Sequence, residues 1–302
     1  MTRVQANLLL LLAGVIWGMG FVAQSTAMAS IGPFLFIAIR SAIASLSILP
    51  LAISEGKRAA QKLQPSNYFF FMLVGAVLFI GLALQQIGLI TTSVTNAGFL
   101  TGLYVVMVPV LGVLIFRTWP HPVVWPAAAA CLAGIFLLSG GELNALKQGD
   151  WLIISGALFW AMQVILISRA GRTGRPIMLS CVQFATAAIA GFAIAGVIED
   201  FNWSAIALTW KELLFTGVFS SGLAFTLQAI GQRYTTSAQA AIFLSSEALF
   251  AAFFGALFLG DRLTFVGFIG CGLLFAAMLA VELVPMFWNR KPISIPATEP
   301  AE

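Results

Sequence analysis

Two ionisable residues lie deep inside apolar stretches of this chain, Arg40 and Glu247. On insertion scales a charge at the centre of a membrane helix costs about 2.5–3.5 kcal/mol, so each needs a reason to be there. Glu247 has two readings. It is a protonatable or substrate-contacting carboxyl in a cavity, or a structural carboxylate kept neutral or hydrogen-bonded among helices. For Arg40 the structural role fits better, through snorkelling outward or fixing a neighbouring helix by its carbonyls. Spacing alone does not tell whether Arg40 and Glu247 meet. Glu282 lies close enough to the end of the last apolar stretch to reach the interface.

Neutral polar side chains are more plentiful in these stretches: Gln24, Gln85, Gln86, Asn96, Gln163, Gln183, Gln228 and Gln239. Trp17 and Gln24 share a helical face at i, i+7, as do Gln239 and Ser246. Trp160 and Gln163 share one at i, i+3, and Tyr104 lies two turns beyond Asn96. An amide in hydrocarbon seeks a partner, so these groups should face the interior, as interhelical bonds or as ligand contacts. The candidate cavity lining is Trp17, Gln24, Gln85, Asn96, Tyr104, Trp160, Gln163, Gln239, Ser246 and Glu247. Such a mostly apolar wall with scattered neutral dipoles suits small amphipathic metabolites better than inorganic ions. Trp17 and Trp160 stand mid-span, either flanking a central site or packing a core.

Enzymatic chemistry has little to work with. The one histidine, His121, lies between Pro120 and Pro122 in a loop. There is no HExxH, no Ser–His pair at membrane depth, no pair of intramembrane aspartates and no Walker motif. Cys131, Cys181 and Cys271 all fall in apolar runs and read as small packing residues. No Cys/His cluster has metal spacing. No catalytic residue, metal or cofactor is expected.

The elements that must position these residues follow from composition. The chain is 60% hydrophobic and 9% charged, against about 25% charged in a soluble domain. Its long apolar runs lack period-2 alternation, which points to membrane helices rather than a barrel. Ten spans are predicted, at 6–28, 33–53, 67–89, 95–116, 122–140, 150–169, 176–197, 211–231, 237–259 and 264–285. Ala27-Met28-Ala29 imitates a signal-peptidase site, but the apolar stretch before it is too long for an h-region. The net charge of +4 is scattered over short loops and does not suggest nucleic acid. With the amino terminus cytoplasmic, eleven Lys and Arg fall on the cytoplasmic side. Three (Lys147, Lys211 and Arg262) fall opposite, and Arg40 lies within a span. This bias places both termini in the cytoplasm.

The chain also repeats. Trp17, Pro33 and the run Leu84, Gln85, Ile87, Gly88 recur 143 residues later as Trp160, Pro176 and Leu227, Gln228, Ile230, Gly231. At a spacing of 144, Thr91, Thr92 and Ser93 recur as Thr235, Thr236 and Ser237, and Phe99, Leu100 as Phe243, Leu244. The chain therefore divides into two five-helix repeats, 1–142 and 143–285, and a disordered cytoplasmic tail, 286–302. Five is odd, so the second repeat enters the membrane from the opposite face. The fold class is an all-α polytopic membrane protein of ten helices in two inverted repeats. Such halves can exchange conformations and give alternating access. Gly14 and Gly18, and again Gly98 and Gly102, form GxxxG pairs for close helix packing, with sliding during transport as the second reading. Pro109, mid-span in the fourth helix, is the expected hinge. Arg40, Pro109 and these four glycines form the structural set.

Taken together, Trp17-Gly18, Arg40 after Pro33, Trp160-Ala161 and the run from Ser246-Glu247 to Leu259-Gly260-Asp261-Arg262-Leu263-Thr264 resemble the EamA branch of the drug/metabolite transporter superfamily. Two positions depart from the family pattern: Ala248 replaces a usual proline and Asp261 a usual glutamate. The resemblance spans nearly the whole chain. It implies a bacterial inner-membrane exporter of small metabolites, and within the branch the chain is similar to the YddG-type amino acid exporters. The expected partners are a small-molecule substrate and the bilayer, with no nucleic acid, and the chain is expected to act as a monomer. The competing functions are an uncoupled facilitator or channel, and an exporter of drugs or toxic metabolites.

Overall fold

The computed structural model describes residues 1–92, 94–138, 147–258 and 264–287, with backbone alone at 94–96 and 286. Ser93, the Asn96 side chain, the run 259–263 and the tail from 288 lie outside the described residues. Among the described residues fourteen α-helices follow one another. The first half holds α1 (Arg3–Ala27), α2 (Pro33–Lys57), α3 (Pro65–Gly88), α4 (Val94–Gly102), α5 (Tyr104–Leu114) and α6 (Val124–Leu138). The second holds α7 (Gln148–Ala170), α8 (Pro176–Ile198), α9 (Trp203–Leu208), α10 (Trp210–Leu214), α11 (Ala224–Gly231), α12 (Ser237–Leu244), α13 (Ser246–Phe258) and α14 (Phe265–Phe287). Among the described residues nine stretches are long and apolar enough to cross a membrane, and α6, with 15 residues, makes a shorter tenth. Helices α2, α3 and α8 open on Pro33, Pro65 and Pro176. At that position the missing N–H has no intrahelical acceptor to lose. Exposed Phe253, Leu257, Phe265 and Phe275 make the outside as apolar as the core, as a bilayer requires.

Three spans are less regular than the sequence suggests. The fourth breaks into α4 and α5 at Leu103, whose N–H bonds the Leu100 carbonyl, three residues back. Pro109 lies inside α5, six residues further on, and α5 runs through it to Leu114. The break in this span thus falls at Leu103, six residues before Pro109, where the hinge is expected. The ninth span breaks at Ser245 without a proline. The Ser245 hydroxyl donates to the Ile242 carbonyl at 2.7 Å, a local bond that competes with the helix ladder. The eighth span joins α10 to α11 through a π-helical stretch, Phe215–Leu223. The last span does not stop at Pro285 but continues to Phe287.

Contacts between the halves are reciprocal. Glu199, just past α8, accepts from the N–H groups of Phe34 and Leu35 in the first turn of α2, at 2.9 and 2.8 Å. Glu55, near the end of α2, accepts from Ile177 and Met178 in the first turn of α8, at 3.1 and 2.9 Å. Positions 34 and 35 correspond to Ile177 and Met178 at 143, and Glu55 recurs as Glu199 at 144. Each carboxylate thus satisfies open N–H groups at the positive end of the partner's dipole. Such a clasp requires α2 and α8 to run antiparallel. They are also equivalent in the repeat, so the halves are inverted. A second reciprocal contact joins α6 to α14: Gly134 faces the Gly270 carbonyl, and Gly270 faces the Gly134 carbonyl.

The first glycine pair behaves as a packing motif. A Cβ at Gly18 would lie 2.6 Å from the Phe250 carbonyl carbon, and Gly14 faces Ser246 and Glu247 of α13. The second pair does not. Gly102 packs on Ile135, but a Cβ at Gly98 would meet nothing within 4 Å. Gly98 is buried, yet it leaves space where a side chain would stand.

Candidate functional site

Between the halves lies a central cavity with about 490 Å³ of free space including its mouth. It straddles the pseudo-two-fold relation. Trp17 faces it with its repeat partner Trp160, Leu82 with Phe225, Phe21 with Val164, and Gln85 with Gln228. The two indoles flank Phe225, with ring centroids 4.7 Å from Trp17 and 6.1 Å from Trp160. This cluster forms an apolar floor that can take a flat or branched apolar group.

Polar groups ring that floor. Gln85 donates to Thr101 at 3.1 Å. Gln163 and Gln228 exchange amide bonds at 3.3 and 3.5 Å. The Trp17 indole N–H donates to the Ser220 carbonyl in the π-helical stretch at 2.8 Å. The Trp160 indole N–H, enclosed at the equivalent place, has no hydrogen-bond partner among the described residues. A π-helical turn shifts the register of side chains and carbonyls, and such turns recur at functional sites. Here it brings Ser220 to Trp17 and Ser221 to Arg40.

The two intramembrane charges both line the cavity but do not pair. Arg40 is buried, and it donates to Gln24 at 2.7 Å and twice to the Ser221 hydroxyl at 3.0 and 3.1 Å. Both acceptors are neutral. Arg40, expected in a structural role, also lines the cavity. Glu247 stands in the first turn of α13, beside the break of the ninth span, and the Tyr104 hydroxyl faces it from the start of α5. The Tyr104 hydroxyl and the Glu247 carboxyl are close enough to interact with each other. The two helix breaks therefore deliver Tyr104 and Glu247 to one wall.

Of the ten expected lining residues, seven come together here: Trp17, Gln24, Gln85, Tyr104, Trp160, Gln163 and Glu247. Gln239 does not. Its amide donates to Glu282 at 2.9 Å, alongside Asn7 at 2.6 Å and the Arg3–Glu282 ion pair at 3.4 Å, in a cluster tying α1, α12 and α14 together. The i, i+7 face shared with Ser246 is cut by the break at Ser245. Ser246 itself packs against Gly14 at the α1–α13 crossing, away from the cavity. Asn96 falls outside the described side chains. Thr101, Ser220, Phe225 and Gln228 were not expected in the lining. Phe225 and Gln228 were available from the repeat, as partners of Leu82 and Gln85. Ser220 depends on the π-helical stretch and had no such signal. Among the described residues no group of three or more His, Cys, Asp or Glu could hold a metal ion.

Comparison with known proteins agrees with this architecture. The model of the EamA-like transporter family matches twice, over residues 4–140 and 147–283. An uncharacterized transporter of Archaeoglobus fulgidus is 32% identical over 284 residues, covering 93% of this chain and 87% of the relative. A WAT1-related chloroplastic protein of Arabidopsis thaliana is 22% identical, over 88% of this chain and 66% of its own. One crystal structure has the same fold at a TM-score of 0.78 and 17% identity, covering 96% of this chain and 100% of that one. The chain belongs to the EamA-like transporter family and is a multi-pass membrane protein for the passage of small solutes.

Proposed function

We propose that this protein exports small metabolites, amino acids with aromatic side chains among them, by alternating access between its two inverted halves. The membrane is a bacterial plasma membrane, with both termini in the cytoplasm and no metal or cofactor in the cycle. One observation carries the reading: the cavity is walled by matched residues from both halves, Trp17 with Trp160 and Gln85 with Gln228. If the halves trade conformations, matched residues trade environments, and the same floor is offered to each side in turn. The aromatic floor suits an apolar side chain, and the surrounding amides and charges suit a polar head.

The test is transport by the purified protein in liposomes, with a panel of amino acids, with and without pH and Na⁺ gradients. A carrier working by alternating access shows faster efflux of labelled substrate when unlabelled substrate is present on the opposite side. Flux indifferent to the opposite side would replace this reading with an uncoupled facilitator.

A further inference from the structure

We propose that Arg40 forms a carboxylate-binding subsite, so that the solutes recognised in this cavity carry a carboxylate. The proposal rests on the cavity being the transport path, and three observations support it.

The first is donor arithmetic. A guanidinium has five N–H donors in a planar fork. Arg40 uses three, one each from Nε, Nη1 and Nη2, on Gln24 and Ser221. One N–H remains on each terminal nitrogen, and spare guanidinium donors of this kind bond carboxylates strongly. The second is charge. Arg40 is buried and permanently cationic, yet every hydrogen-bond acceptor it has is neutral. The ion pair found among the described residues joins Arg3 to Glu282, outside the cavity. A buried cation held only by neutral dipoles is under-compensated, and an anionic ligand supplies the missing charge.

The third observation separates this reading from a structural one. In the other half the equivalent of Arg40 is Gln183, and the equivalents of Gln24 and Ser221 are Ile167 and Leu78. That position is fully buried and packs without any charge. The scaffold therefore does not need an arginine at this place. The polar cradle exists in one half only, and there it opens onto the cavity. Phe36 under the guanidinium, 5.7 Å from ring centroid to Cζ, holds its plane. Next to it, Trp17, Trp160 and Phe225 would receive the apolar remainder of the ligand. A free organic acid and an amino acid share this carboxylate, and the probes below tell them apart.

The experiment measures equilibrium binding of four labelled probes to the full chain in detergent: L-phenylalanine, L-phenylalaninamide, benzoate and benzamide. The carboxylate member of a pair should bind at least about tenfold more tightly than its amide. Arg40→Gln should level the pair. A second variant, Gln24→Glu, covers the case in which the first fails to fold. It is nearly isosteric and gives Arg40 an internal carboxylate, so it should also level the pair, with its melting temperature reporting that it is folded. Equal affinity within both pairs, no binding of either carboxylate, or a preference that survives both substitutions would overturn the subsite. Discrimination of benzoate alone supports the subsite and removes the amino acid reading. Transport of neutral solutes without any carboxylate preference removes the subsite and leaves the transporter intact.

Discussion

Glu247 is the residue whose environment asks most of its chemistry. It shares its wall with Tyr104, Cys131 lies behind Tyr104, and the cation in the same cavity, Arg40, is engaged elsewhere. A carboxyl at membrane depth with no cationic partner must take a proton or a bound cation before its surroundings can change. Glu247→Gln keeps the shape and removes the titration. Its expected effect is loss of the pH-gradient dependence of transport, with substrate exchange retained; a gradient response as large as the parent's would exclude Glu247 as the coupling group. At this scale much of the cavity was legible. Trp17, Gln24, Trp160 and Gln163 could be placed because a polar or indole group in hydrocarbon has few choices of direction. Gln239 could not, because its partner Glu282 is 43 residues away and nothing local marks the bond. Arg40 was half-legible: its depth was plain, but the Ser221 that holds it is 181 residues away.

The elements show the same division between local and distant causes. Span positions followed from apolar length and proline punctuation, and α2 and α8 start where Pro33 and Pro176 indicate. The breaks at Leu103 and Ser245 and the π-helical stretch were not legible. Each is a change of backbone hydrogen-bond register; at Ser245 it accompanies the hydroxyl's bond to the Ile242 carbonyl, and at Leu103 it falls six residues before Pro109. The α2–α8 clasp makes an element-scale prediction. Glu55→Gln and Glu199→Gln each leave an N–H of the partner's first turn without its carboxylate acceptor. Each should lower stability by about 1 kcal/mol. Because the two carboxylates cap opposite ends of the pair, their effects should add to within about 0.5 kcal/mol. Thermal unfolding of the single and double variants checks this, and strong non-additivity would mean that the two ends are mechanically coupled.

At the scale of the molecule, the duplication was the most readable feature of all, and the inversion followed from counting. What counting does not supply is how the halves hold on to each other. They do so through equivalent elements, α2 on α8 and α6 on α14, in contacts that are the same seen from either side. Self-complementary contacts of this kind are the mark of a two-fold dimer interface. A chain cut within 139–146 should therefore reassemble. Segments 1–142 and 143–302, co-expressed, should co-purify and restore substrate exchange, whereas either alone should not. Failure to associate would show that the covalent link, rather than the interface, holds the bundle together.

The glycine crossing of α6 and α14 carries one more consequence. Gly134 and Gly270 meet at a spacing of 136, not the 143 and 144 that relate the rest of the chain. A contact across a two-fold need not join equivalent residues, and here it does not: 143 residues on from Gly134 stands Ala277, and 143 before Gly270 stands Ala127, both buried. In shape, the molecule is a pair of upside-down twins joined at the waist, and at that waist each twin offers one glycine and one alanine, small enough on both sides for the two backbones to lie close.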